Sequence, residues 1–139
     1  AVETSGYASE ESFLKVLEKV DLLLFDVKLT DTQMHKKYTG AGNELILRNL
    51  SHLCRSGKEF VVRVPLIPGV NDTLENMEST AGLIEGAAGL KRVELLRYHK
   101  TAGAKYPMVG LKYEPDFDVD AQPRINDVFT DKGMKLLIL

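Results

Sequence analysis

At four places along this chain an apolar run stops in side chains able to do chemistry. In Asp21–Lys28, DLLLFDVK, the run Leu22–Phe25 ends in an aspartate and a lysine two residues apart. Residues two apart on a strand share a face, so Asp26 and Lys28 point together from its carboxyl end. At that end they can meet a ligand or close on each other as an ion pair. The same lysine, desolvated near an acid, can form a Schiff base of the aldolase type. Arg63 lies between Val62 and Val64, where an unpaired guanidinium would cost several kcal/mol of desolvation. It needs an anion, either Asp26 or a ligand carboxylate or phosphate, which a guanidinium holds bidentately. His99 follows Tyr98 and can donate to a sugar hydroxyl or act as a base, and Glu3-Thr4 closes the first apolar stub. Each has a plain alternative: an internal Arg63–Asp26 pair, a loop histidine, a surface glutamate.

The elements that must carry these residues alternate in type. Ser9 caps a helix whose apolar face is Phe13, Leu14, Val16, Leu17 and Val20. The strand 21–28 follows, then a short helix capped by Thr30 or Asp31 and stopped at Thr39-Gly40. Asn43 caps a helix with Leu45, Ile46, Leu50, Leu53 and Cys54 on one face, stopped at Gly57. Cys54 in that face reads as a buried structural thiol. Glu59–Ile67 is a strand rich in β-branched residues whose far end is broken by Pro65 and Pro68. Gly69–Thr73 turns the chain, and Asn71, Asp72 or Thr73 caps a helix to about Ala88. Lys91–Tyr98 is a third full strand, 100–120 is irregular, a helix spans about 121–132, and the tail MKLLIL is a strand. Strands separated by helices require parallel pairing with right-handed crossovers. Two α/β architectures satisfy this order, a doubly wound sheet and a partial (β/α) barrel. A complete eight-stranded barrel takes roughly 250 residues, so half a barrel is in range. In both, ligands bind at the carboxyl ends of the strands.

The chain has 139 residues, 44% hydrophobic and 27% charged, with a net charge of −2, and reads as one globular domain over 1–139. It has no Lys/Arg block to suit a nucleic acid and no apolar run long enough to span a membrane. One cysteine excludes a disulfide framework and a multi-cysteine metal site within the chain, and the cytoplasm follows by default. The opening AVETSGY is a strand stub without an initiator methionine, so a piece of a longer protein is expected.

ETSGY, DVK, RVPLIPGVND and ELLRYH, in this order, resemble the C-terminal half of the glycyl-radical-enzyme activating enzymes of the pyruvate formate-lyase type, within the radical S-adenosylmethionine superfamily. The resemblance covers the chain from Val2 onward. It implies the C-terminal portion of a (β/α)6 partial barrel. In that family a [4Fe–4S] cluster on an N-terminal CxxxCxxC motif cleaves S-adenosylmethionine reductively, with electrons from a donor such as flavodoxin or ferredoxin. The resulting 5′-deoxyadenosyl radical takes a hydrogen atom from a glycine of the partner glycyl radical enzyme. By resemblance, Asp26 and Lys28 hold the amino-acid end and ribose of the cofactor, His99 contacts the ribose, and Arg63 reaches the same pocket. Ile67 and Val70 pack on the adenine, and Glu3 with Thr4 holds a monovalent cation. The family more often has Asp at the first of those two positions. No residue of this chain matches a catalytic group or a cluster ligand, since CxxxCxxC and the family's glycine-rich second strand are missing. The chain is therefore expected to be inactive alone and to expose a strand edge that favours self-association. Readings outside the family are a cluster-free lyase using Lys28 and a non-catalytic product of a truncated gene.

Overall fold

In a computed structural model, which describes residues 1–99, 103 and 105–139, each of the five apolar runs becomes a strand of a single sheet. In order they are β1 (Val2–Thr4), α1 (Glu10–Lys19), β2 (Leu22–Asp26), α2 (Thr32–Thr39), α3 (Glu44–Ser56), β3 (Glu59–Pro65), α4 (Leu74–Ile84), β4 (Leu90–Leu96), α5 (Val128–Asp131) and β5 (Leu136–Ile138). A 3₁₀ turn, Pro107–Val109, interrupts the long stretch after β4. All four pairings are parallel and the strands lie in chain order, β1-β2-β3-β4-β5. A doubly wound sheet would reverse its order at a switch point. This sheet does not, and the architecture is the partial-barrel one.

Alternation along the strands separates two faces. Leu23 and Phe25 of β2, Phe60, Val62 and Val64 of β3, and Val93 and Leu95 of β4 form one core with Phe13, Leu17, Leu50, Leu53, Met77, Ile84 and Phe129 from the helices. The opposite face carries Glu3, Leu24, Asp26, Arg63 and Glu94, fixed there by the register Glu3↔Leu24, Asp26↔Arg63 and Arg63↔Glu94. Helices on one side and charges on the other is how a barrel wall is built, with the charged face inward.

Three of the expected caps form and one, Asn43, does not. Ser9 accepts from Ser12 N–H, Asp31 from Met34 N–H, and Thr73 from Asn76 N–H. Asn43 stands at the start of α3 without capping it, because its side chain is used elsewhere. Cys54 lies on the packed face of α3, where burial pushes its thiol up from the ordinary range and its Sγ donates to the carbonyl of Leu83 at 3.7 Å.

Several expected boundaries move: β3 ends at Pro65 rather than Ile67, β4 is Leu90–Leu96 rather than Lys91–Tyr98, and three others shift for identifiable reasons. The helix expected to reach Ala88 stops at Ile84, because Gly86 takes φ +75° and the turn Ala87 N–H to Ile84 O replaces the next helical bond. The strand expected over 21–28 ends at Asp26, although Val27 N–H still bonds to Arg63 O at 2.9 Å. The last helix, expected over about 121–132, is the single turn Val128–Asp131. Pro123 disfavours helix at the residue before it, and Arg124 N–H is drawn to Asp72 Oδ2 at 2.7 Å. The expected irregular stretch 100–120 falls partly on 100–102 and 104, which lie outside the described residues.

Gly6 makes the turn that carries the chain from β1 to α1, with φ +69° and Phe25 directly against it. A Cβ there would overlap the Phe25 ring and adopt a backbone that L-residues avoid. Gly6→Ala should lower unfolding stability by about 2–4 kcal/mol, read as a shift in the urea midpoint.

Candidate functional site

Beyond the carboxyl ends of β2 and β3 the chain builds two adjoining clefts. Lys28 Nζ lies 3.3 Å from Asp26 Oδ2, while Asp26 Oδ1 is buried with no hydrogen-bond partner among the described residues. These two side chains line a cleft of about 280 Å³ together with Tyr7, His35, Thr39 and Ile46. Lys28 also borders a second cleft of about 290 Å³, whose walls are mainly apolar: Leu29, Tyr38, Pro65, Ile67, Val70 and Phe117. One ammonium therefore stands between a polar compartment and an apolar one. The structure brings Asp26, Lys28, Ile67 and Val70 together.

Three buried asparagines hold this arrangement. Asn71 Nδ2 donates to Lys28 O at 2.9 Å and to Pro65 O at 2.8 Å, and its Oδ1 accepts from Ile67 N–H at 2.7 Å. Asn76 Nδ2 donates to Lys28 O and to Asn71 O, while its Oδ1 accepts from Thr30 N–H. Asn43 Nδ2 donates to Leu29 O and Thr30 O. The loop after β2 leaves the sheet with its carbonyls satisfied by side-chain amides instead of a neighbouring strand. Asp72 ties the next turn down, accepting from Gly69 N–H and Arg124 N–H.

Arg63 stands on the inward face beside Asp26 in register but pairs elsewhere. Its Nη1 lies 2.5 Å from Glu3 Oε1, and its Nε lies 3.6 Å from Glu94 Oε2. Glu94 is buried and held mainly by Arg92, at 2.6 Å and 2.8 Å. Thr4 turns its hydroxyl to Gly6 N–H at 3.0 Å. His99 is exposed beyond β4 and lines neither cleft. Its neighbour Tyr98 hydrogen-bonds Tyr113 through the two hydroxyls and meets Phe117 edge to face at 5.3 Å. Burial, and then the bond to Tyr98, pushes the Tyr113 phenol up to about 12.

The strand-end reading passed over Glu94 and His35. Glu94 had a signal, since a carboxylate between Val93 and Leu95 repeats the pattern that drew attention to Arg63. His35 had none, being one polar residue of a short polar helix.

The fold is a parallel half-barrel with an ammonium and a carboxylate side by side on its rim, and known proteins share the architecture. No family model matches the chain. The choline trimethylamine-lyase activating enzyme of Oleidesulfovibrio alaskensis is 38% identical over 133 residues, covering 91% of this chain and 41% of the relative. The trans-4-hydroxy-L-proline dehydratase activating enzyme of Clostridioides difficile is 40% identical over 116 residues, 82% of this chain and 38% of the relative. A crystal structure of a domain of pyruvate-formate lyase-activating enzyme from Bacteroides vulgatus superposes with a TM-score of 0.75 at 27% identity, covering 99% of this chain and 79% of that one. The chain is a homologue of the glycyl-radical-enzyme activating enzymes, as its motifs suggest. It spans less than half the length of these curated relatives.

Asn71→Ala would strip partners from Ile67 N–H and from the Lys28 and Pro65 carbonyls, and should cost about 2–3 kcal/mol of stability in urea unfolding. In Tyr98→Phe, the Tyr113 midpoint should fall from about 12 toward the ordinary tyrosine range, measured as phenolate absorbance. The sign follows from the raised value. The pair's contribution to stability is complete below the ordinary tyrosine range, about pH 10, and is lost as pH rises through about 12.

Proposed function

We propose that the complete protein is a radical S-adenosylmethionine activase that installs a glycyl radical on a partner enzyme, and that this chain supplies the part of the barrel that grips the cofactor. The observation that carries this reading is the shared wall. Lys28 joins a charged cleft, in which Asp26 Oδ1 is buried with no hydrogen-bond partner among the described residues, to an apolar cleft bounded by Ile67 and Val70. S-adenosylmethionine has a carboxylate, an ammonium and a sulfonium at one end and a flat purine at the other. Lys28 would take the carboxylate and Asp26 the cationic groups and ribose, while Ile67 and Val70 would cover the adenine. Arg63 would add a second cation once it turns from Glu3, and His99 would reach the ribose from beyond β4. Glu3 and Thr4 are the proposed holders of a monovalent cation, which Glu3 reaches only by releasing Arg63. When bound, the cofactor supplies the organic radical that removes a hydrogen atom from glycine.

The cluster does not fit this chain. One cysteine is present, and it is packed on α3 against the core, so no step involving iron is assigned to these residues. We infer that the chain by itself does not cleave the cofactor, and that a flavodoxin or ferredoxin donates electrons to the complete protein in the cytoplasm. The partner would be a glycyl radical enzyme, since relatives are named as activators of choline trimethylamine-lyase and of 4-hydroxyphenylacetate decarboxylase. The lyase reading has less support, because the Lys28 side chain is 38% exposed and paired with Asp26 rather than desolvated.

Calorimetric titration of the complete protein with S-adenosylmethionine tests the proposal. Lys28→Ala should weaken binding by about tenfold or more, the worth of a hydrogen bond to a charged group. His99→Ala should weaken it less. No binding by the wild type overturns the reading, and unchanged affinity in both variants removes these residues from the site.

A further inference from the structure

The cleft beside Asp26 and Lys28 has a third polar wall. His35, in the first turn of α2, is 5% exposed and lines this same cleft. Its Nδ1 lies 2.8 Å from the carbonyl oxygen of Ala41 and 3.0 Å from the Thr39 hydroxyl. A carbonyl only accepts, so Nδ1 carries the proton of that bond. In the neutral ring Nε2 is then an acceptor. Nε2 has no hydrogen-bond partner among the described residues, yet it is not among the buried atoms sealed from solvent. With the rest of the ring enclosed, its open side is the cleft.

We propose that His35 is a ligand-binding residue of this site, its Nε2 accepting a hydrogen bond from an N–H or O–H group of the bound molecule. The inference rests on the activase reading for the identity of that molecule, S-adenosylmethionine. Asp26 Oδ1 and His35 Nε2 are two unused acceptors, and Lys28 is a donor on the same wall. Two acceptors and an ammonium suit a molecule that brings a carboxylate together with an ammonium or vicinal hydroxyls. The bond between Nδ1 and Ala41 then has a function beyond closing the loop after α2. It fixes the tautomer and aims the ring, as a backbone carbonyl does for histidines that bind through their other nitrogen.

Two substitutions separate scaffold from site. In His35→Asn the carboxamide nitrogen can stand in for Nδ1 and keep the bond to Ala41, leaving nothing at Nε2. In His35→Gln the amide reaches toward the Nε2 position and gives up Ala41. In the complete protein, His35→Asn should melt close to the wild type and bind S-adenosylmethionine about three- to tenfold more weakly. His35→Gln should melt lower and hold the ligand more tightly than His35→Asn does. Methylthioadenosine, which keeps the adenine and ribose but lacks the amino-acid end, identifies the donor group. If His35→Asn weakens both ligands, the donor is a ribose hydroxyl; if it weakens S-adenosylmethionine alone, the donor is the ammonium. Equal affinity of His35→Asn and wild type for both ligands overturns the role of His35 and leaves the activase reading standing. Should His35→Asn fail to fold, the wild-type imidazole ¹⁵N spectrum decides. The Nε2 resonance of His35 moves on addition of S-adenosylmethionine if the bond forms, and an unmoved resonance in the saturated protein rejects it. Wild-type protein that binds neither ligand overturns both readings together.

Discussion

The carbonyl of Lys28 accepts hydrogen bonds from two side-chain amides, Asn71 and Asn76, and the rim of this half-barrel depends on that junction. A parallel strand that leaves its sheet loses its backbone partners just where a binding residue is needed, and buried unpaired carbonyls are costly. Here the following strand's turn supplies the missing donors. Because Asn71 also binds Pro65 O and Ile67 N–H, Lys28 and the wall formed by Ile67 and Val70 cannot move apart independently. Both clefts owe their shape to this coupling.

The inward face of the sheet poses the opposite problem, charge where burial is expensive. Glu3, Arg63, Glu94 and Arg92 cross it in alternating sign, pairing across β2, between adjacent strands β3 and β4, and within β4. Breaking such a chain leaves an uncompensated buried charge, which costs far more than an exposed pair contributes. Asp26 is incompletely satisfied, with one oxygen on Lys28 and the other buried without a hydrogen-bond partner among the described residues, as is Arg63 Nε.

The homologues place these features in a wider pattern. Relatives named for different partners share 34–40% identity with this chain, and a domain of a pyruvate-formate lyase-activating enzyme keeps the same architecture at 27%. The parallel-strand architecture is the common element.

The sequence by itself determined the elements and their order. Caps at Ser9, Asp31 and Thr73, apolar spacing on α1 and α3, apolar runs at β2 and β4 and the β-branched run at β3 are local signals, and each acts within a few residues. The period of two also put Asp26 and Lys28 on one face before any packing was known. Tertiary structure alone decided what lies far apart in the chain. Arg63 lies in register with both Asp26 on one side and Glu94 on the other, yet its guanidinium pairs with Glu94 and reaches past β2 to Glu3. Asn71 reaches Lys28 across 43 positions, and Asp72 captures Arg124 across 52, shortening the last helix that periodicity had drawn longer. His35 entered the site for the same reason. Its surroundings are set by how α2 folds back over the strand ends, and helical spacing carries no trace of that.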